Sequence, residues 1–145
     1  MSLRVLIICT GNVCRSPVAA ALLRKLMPDR QVSSAGLMAL VGRGVAHQAR
    51  YLAEADGLEV ADHKARQLSH QLILEHDLIL VMSERQRNAI GERAPEALGK
   101  VMLMGHWLDD EKGKEIPDPY RQSDEMYMHV HLKIKEAAEA WAKIL

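Results

Sequence analysis

Cys9 and Arg15 lie in one short segment, Cys9-Thr10-Gly11-Asn12-Val13-Cys14-Arg15-Ser16-Pro17, with five residues between them. An ionised thiol is a nucleophile, and a guanidinium is a planar, permanently charged fork that grips two oxygens of a phosphate at once. The apolar run Leu3-Arg4-Val5-Leu6-Ile7-Ile8 precedes the segment and Pro17-Val18-Ala19-Ala20-Ala21-Leu22-Leu23 closes it, so a buried strand feeds a helix N-terminus at this point. The first amides of a helix lack intrahelical partners, and the macrodipole adds positive charge there. The position therefore favours an anion, and the same field together with Arg15 favours a thiolate at Cys9. Gly11 permits the sharp turn. Thr10, Gly11, Asn12, Val13, Cys14, Arg15 and Ser16 are the expected phosphate-binding stretch. A nucleotide-binding P-loop fits poorly, because no Gly-Lys-Ser/Thr follows Gly11 at the required spacing.

A thiolate that attacks a phosphate ester of a phenol must expel a leaving group whose pKa is about 10, so a positioned acid is worth roughly 10²–10⁴-fold. Asp118 in Ile116-Pro117-Asp118-Pro119-Tyr120 is the candidate. Prolines on both sides stiffen the backbone, and Pro119 keeps Asp118 out of the helical region. Asp109, Asp110 and Asp124 stand in less constrained surroundings. Tyr120, with Leu37 on the opposite wall, would line an aromatic substrate's pocket. Cys14 and Cys9 are the two cysteines of the chain, which makes Cys14 the one partner available for a reversible disulfide that protects Cys9 from over-oxidation.

Strands and helices alternate along the chain. Extended segments are expected at Leu3–Cys9, Gln31–Ala35, Asp77–Met82 and Lys100–Met104, with a minor extended piece at Leu58–Val60. Helices are expected at about Ser16–Met27, Ala46–Ala55, Ser69–Glu75, Ser83–Ile90 and Asp124–Ile144, and Gly105–Arg121 reads as a long polar loop. This alternation predicts an α/β fold with a parallel sheet and helices on both faces. In such sheets ligands bind outside the carboxyl ends of strands at a switch in strand order. The Cys9 loop is at such an end.

With 145 residues, the chain (1–145) is expected to form a single domain. Its 19 basic and 19 acidic residues give zero formal net charge, so no overall field recruits nucleic acid or an anionic membrane. The longest apolar run is too short to span a bilayer and carries no signal-peptide pattern, which points to the cytoplasm. Two neighbouring cysteines cannot staple distant segments, and no His pair stands near them to complete a metal site. No metal or cofactor is expected.

With the Cys9 loop and Pro117-Asp118-Pro119-Tyr120 both identified, the chain resembles the low-molecular-weight protein tyrosine phosphatases over essentially its full length. Ser34-Ala35-Gly36-Leu37, Ala94-Pro95-Glu96, Gly105-His106-Trp107 and Ile116 to Arg121 resemble most closely the bacterial branch that acts on tyrosine autokinases controlling capsule or exopolysaccharide export. The resemblance implies a three-layer sandwich around a four-stranded parallel sheet in the order 2-1-3-4, and a cysteinyl-phosphate intermediate. It implies Cys9 as nucleophile, Arg15 as phosphate clamp, and Asp118 as acid in the first step and base in the second. Ser16 resembles the hydroxyl that stabilises the departing thiolate. Asn12 resembles a residue that holds the loop, with Ser34 and His63 as its partners. The implied substrate is a phosphotyrosine protein, the cytoplasmic tail of a membrane autokinase. Two departures stand out: Ser83 replaces an Asp carried by many eukaryotic members, and their tandem tyrosines are reduced to Tyr120 followed by Arg121.

Three other functions share parts of this pattern. A thiol-dependent arsenate reductase needs further cysteines to relay a disulfide, and the chain has none beyond Cys14. A phosphocarrier would need no Asp118. A phosphotyrosine-binding module without turnover would bind phosphate and hydrolyse no aryl phosphate, and intact Cys9, Arg15 and Asp118 argue against it.

Overall fold

The computed structural model describes residues 2–145. Four parallel strands, β1 (Arg4–Cys9), β2 (Gln31–Gly36), β3 (Leu78–Val81) and β4 (Val101–Leu103), form one sheet in the order β2-β1-β3-β4. Helices α1 (Arg15–Leu26), α2 (His47–Ala55), α3 (His70–Glu75), α4 (Glu84–Arg93) and α5 (Asp124–Ile144) connect and follow them.

The central strand β1 is buried from Val5 to Cys9. Because side chains alternate across a strand, Val5 and Ile7 join a core with α1, α2 and α5, while Leu6 and Ile8 join a second core with Ile73 of α3 and Ile90 of α4. The result is three layers, with the sheet in the middle. The run of alanines in α1 is buried, and its small side chains let the helix sit closely between sheet and α5. The chain leaves β1 towards β2 on one side and returns to β3 on the other, so the switch in strand order falls at the end of β1.

Most expected elements appear within a residue or two. Ser69 and Ser83 are N-caps, whose hydroxyls accept from Leu72 and Gln86 amides, so their helices begin one residue later than expected. Three differences are larger. Helix α4 runs on to Arg93. A 3-10 helix at Pro95–Lys100 precedes β4, where Pro95 at its first position removes an amide that would have had no partner. Leu58–Val60 is not a strand: Leu58 and Val60 are instead buried in the core that α1, α2 and α5 share, and Gly36 bridges to Gln67.

Candidate active site

The loop after β1 turns its carbonyls outward. Cys9 O accepts from Leu37 N at 3.0 Å, Thr10 O from Met38 N at 2.9 Å, Gly11 O from Leu40 N at 3.0 Å and Val13 O from Ala46 N at 2.8 Å. Asn12 O accepts from His63 Nε2–H at 2.7 Å. A planar trans peptide points its N–H opposite to the preceding C=O, and the chain has no cis bond among the described residues. The amides of Thr10 through Cys14 therefore face the other way, into one concavity, as anion-binding nests do. At the first turn of α1 no side chain caps the helix. The Ser16 amide instead lies 3.4 Å from Cys9 Sγ.

Asn12 holds this loop from inside. Its backbone is left-handed, with φ of 59°, a conformation that Asn tolerates better than most residues. Its Nδ2 donates to Ser16 Oγ at 2.7 Å and to Ser34 Oγ at 3.0 Å, and its Oδ1 accepts from the Arg66 amide at 2.9 Å. Since Ser16 Oγ already accepts from Asn12, its own proton is free to point at Cys9 Sγ, 2.8 Å away. Gly36 allows the close approach of β2 to the loop: a Cβ there would stand 2.6 Å from the Thr10 carbonyl oxygen.

Arg15 is almost fully buried. Its Nη1 donates to the Ile116 carbonyl at 2.8 Å and its Nη2 lies 3.5 Å from Asp118 Oδ2, while its Nε has no acceptor in the protein. The Pro117–Pro119 loop is thus hung on the guanidinium itself. Asp118 Oδ1 accepts from the Tyr120 amide at 3.1 Å, which orients the carboxyl. Leu37 packs against the core on one face of the sheet and Tyr120 against the core on the other. Asp109, Asp110 and Asp124 are exposed and make no contact with Arg15 among the described ion pairs.

Burial holds His63 below its usual 6.5, opposed by its bond to Asn12 and reinforced by Arg24 and Arg66. Burial also pushes the Cys14 thiol up to about 12, against a weaker opposing bond from Tyr127, with the Cys9 and Asp118 charges adding to the rise. Cys14 is a neutral thiol at ordinary pH. Both cysteines are free.

Sequence reasoning missed several participants. Gln86, buried on α4, accepts from the Met82 amide at 2.7 Å and donates to Thr10 Oγ1 at 3.3 Å, which ties the end of β3 to the loop. Arg66 supplies an amide to Asn12 and its Nε to the Ser34 carbonyl at 2.8 Å. Neither residue belongs to a motif that would have marked it.

A profile of the family described as low molecular weight phosphotyrosine protein phosphatase matches residues 4–145. The chain belongs to that family. The phosphatase is 47% identical over 142 residues to the low molecular weight protein-tyrosine-phosphatase Wzb of Salmonella typhimurium, covering 98% of this chain and 93% of that one. Its fold superposes with a TM-score of 0.94 on Vibrio vulnificus Wzb in complex with benzylphosphonate, at 42% identity and full coverage of both chains. The YwlE arginine phosphatase of Geobacillus stearothermophilus is more distant, at 32% identity and a TM-score of 0.89 over 97% of this chain and 91% of that one. The expected parallel sheet in the order 2-1-3-4 is the one observed.

Proposed function

We propose that this phosphatase hydrolyses phosphotyrosine in two steps at Cys9, with Arg15 and Asp118 as partners. The observation that carries the reading is the convergence, in one loop, of inward amides, Arg15 and a Cys9 sulfur that meets the Ser16 hydroxyl at 2.8 Å. The amides and Arg15, including its unpartnered Nε, bind the three phosphoryl oxygens and strengthen their hold as charge develops in the transition state. The Cys9 thiolate attacks phosphorus as the P–O bond to the phenol breaks, and Asp118 gives its proton to the departing oxygen. Asp118, now a carboxylate, takes a proton from water, which attacks the cysteinyl phosphate. Phosphate leaves, and the Ser16 O–H stabilises the returning thiolate. Leu37 and Tyr120 form the walls for the aromatic ring. The side chains of Asn12, Ser34 and His63 hold the loop in shape and touch no substrate.

A benzyl group on a phosphonate, as in the Vibrio vulnificus relative, is close in shape to the head group of phosphotyrosine. The finer resemblance to the capsule and exopolysaccharide branch supports, as substrate, the phosphorylated cytoplasmic tail of a membrane tyrosine autokinase, met by a cytoplasmic enzyme. Among the described residues no helix is long and apolar enough to cross a membrane. The test is hydrolysis of matched peptides carrying phosphotyrosine, phosphoserine and phosphoarginine. Preference for phosphotyrosine supports the reading, whereas preference for phosphoarginine would align the chain with the more distant relative. Capture by Cys9→Ser protein from a lysate then tests the autokinase tail as the bound phosphoprotein.

A further inference from the structure

β3 ends at Val81, and Met82 after it is fully buried, so the Met82 amide and carbonyl both need partners from outside the strand. The carbonyl accepts from Ile116 N at 3.0 Å, two residues before Asp118. The amide donates to Gln86 Oε1 at 2.7 Å. That bond fixes which way round the Gln86 side-chain amide stands, because a backbone N–H is met by its oxygen and not by its nitrogen. The nitrogen then turns to Thr10 Oγ1, 3.3 Å away. Gln86 is 6% exposed, and both polar ends of its side chain are paired.

These contacts close a ring. From Gln86 the path runs through Met82 to Ile116, from Ile116 O to Arg15 Nη1 at 2.8 Å, and from Arg15 back along the phosphate loop to Thr10, the neighbour of Cys9. Three of the four hydrogen bonds use a backbone group; the fourth, Gln86 to Thr10, joins two side chains. Glu115 fastens the acid loop to the same turn of α4, its carboxylate accepting from Glu84 N at 2.9 Å. Bonds that share members in a buried network hold more firmly than the same bonds taken singly. Asp118 is 47% exposed, so its place over the phosphate loop depends on how firmly the backbone behind it is held.

We propose that Gln86 is a positioning residue for the reaction, its side-chain amide closing the ring that sets the acid loop of Asp118 against the phosphate loop at Thr10 and Arg15. The inference rests on the reading of Asp118 as general acid and deepens it. Gln86 acts through Thr10 and Met82 and touches no reacting atom.

Thr10→Val keeps the backbone amide and nearly the same volume, removes the oxygen that Gln86 Nε2 meets, and leaves the bond from Met82 to Gln86 in place. Gln86→Met removes both bonds at similar length. The measurement is kcat/KM, which reports cysteine phosphorylation, for phenyl phosphate and p-nitrophenyl phosphate, in each variant, in the two combined, and in Asp118→Asn with and without Thr10→Val. Each single variant is expected to lower kcat/KM for phenyl phosphate by about three- to tenfold, the scale of one or two lost hydrogen bonds. The loss for p-nitrophenyl phosphate, which needs less acid assistance, is expected to be smaller. The combined variant is expected to lose no more than Gln86→Met alone, because the bond that Thr10→Val removes is already gone. In the Asp118→Asn background Thr10→Val is expected to cost the two substrates equally.

A merely structural role would lower both substrates alike in every background. Full kcat/KM in the single variants, equal losses for the two substrates, or losses that multiply in the combined variant would overturn the inference. If Gln86→Met does not fold, the split between substrates in Thr10→Val decides alone. An equal loss for both substrates in Asp118→Asn itself would remove the acid assignment first, and this inference with it.

Discussion

The guanidinium of Arg15 and the carboxylate of Asp118 meet at 3.5 Å with very different access to solvent: the Arg15 side chain is 5% exposed and that of Asp118 47%. One partner is built into the protein and the other hangs at its rim. The fixed partner also carries the acid loop, through the Ile116 carbonyl. In the proposed mechanism, binding of the phosphoryl group and placement of the acid are therefore coupled through one side chain.

Asp118→Asn is expected to slow phosphorylation of Cys9 by about 10²–10⁴-fold for a phenol and far less for p-nitrophenol, because the general acid matters in proportion to the basicity of the leaving group. Single-turnover rates across a series of aryl phosphates check this. An equal loss for every leaving group would remove the acid role.

Ser16→Ala leaves Cys9 Sγ without the hydroxyl now 2.8 Å away. Loss of one donor aimed at developing negative charge costs about 10²-fold or more in comparable sites. In the proposed mechanism the serine hydroxyl favours the thiolate as leaving group, so breakdown of the cysteinyl phosphate should slow and the intermediate accumulate. Rapid quench should then show a burst of phenol followed by a slow phase. Unchanged steady-state turnover would contradict the assignment.

Gly36→Ala places a methyl 2.6 Å from the Thr10 carbonyl and 3.1 Å from the Asn12 amide, both backbone atoms. The loop must move to admit it. We expect a loss of about 1–3 kcal/mol in stability, in line with overpacking elsewhere, together with weaker inhibition by phosphate. Equal melting temperature and equal phosphate inhibition in the variant would show that the loop does not depend on this approach.

Much of the site could be read from the order of residues, because its parts are local. Cys9 to Pro17 is contiguous, and a strand that ends in Cys and a helix that begins near Pro fix where the loop must lie. The stiffness of Pro117-Asp118-Pro119 is likewise local. The contacts that close the site are not. Gln86 reaches Thr10 across 76 positions and Tyr127 reaches Cys14 across 113, distances over which periodicity and turn chemistry carry no information. The 3-10 helix at Pro95–Lys100 escaped because a short apolar-polar segment has no period to detect. Leu58 and Val60 read as extended because they are apolar, yet what they satisfy is burial in the core that α1, α2 and α5 share.

Stability should fall as the medium is acidified from pH 7 towards 5. His63 and His76 are each held below 6.5, chiefly by burial, so below that pH the unfolded chain binds protons that the folded chain refuses. Stability thus rises with pH between the folded values and 6.5 and is complete above it. A further loss is expected below 3.8, as acid reaches the lowered value of Asp56, which accepts from His131 at 2.7 Å. Denaturant midpoints measured from pH 8 to 3 check both windows. His63→Gln should flatten the first window in part, and a midpoint that rises on acidification through pH 6 would contradict the assignment.

The fate of the phosphoryl group is the most direct test of the two-step mechanism at Cys9. The enzyme is mixed with a phosphotyrosine peptide, quenched in acid within milliseconds and mapped by mass spectrometry. One phosphoryl group is expected on Cys9, absent from Cys9→Ser protein, which should also release no phosphate. Release of phosphate by Cys9→Ser at the native rate, or turnover with Cys9 never modified, would contradict it.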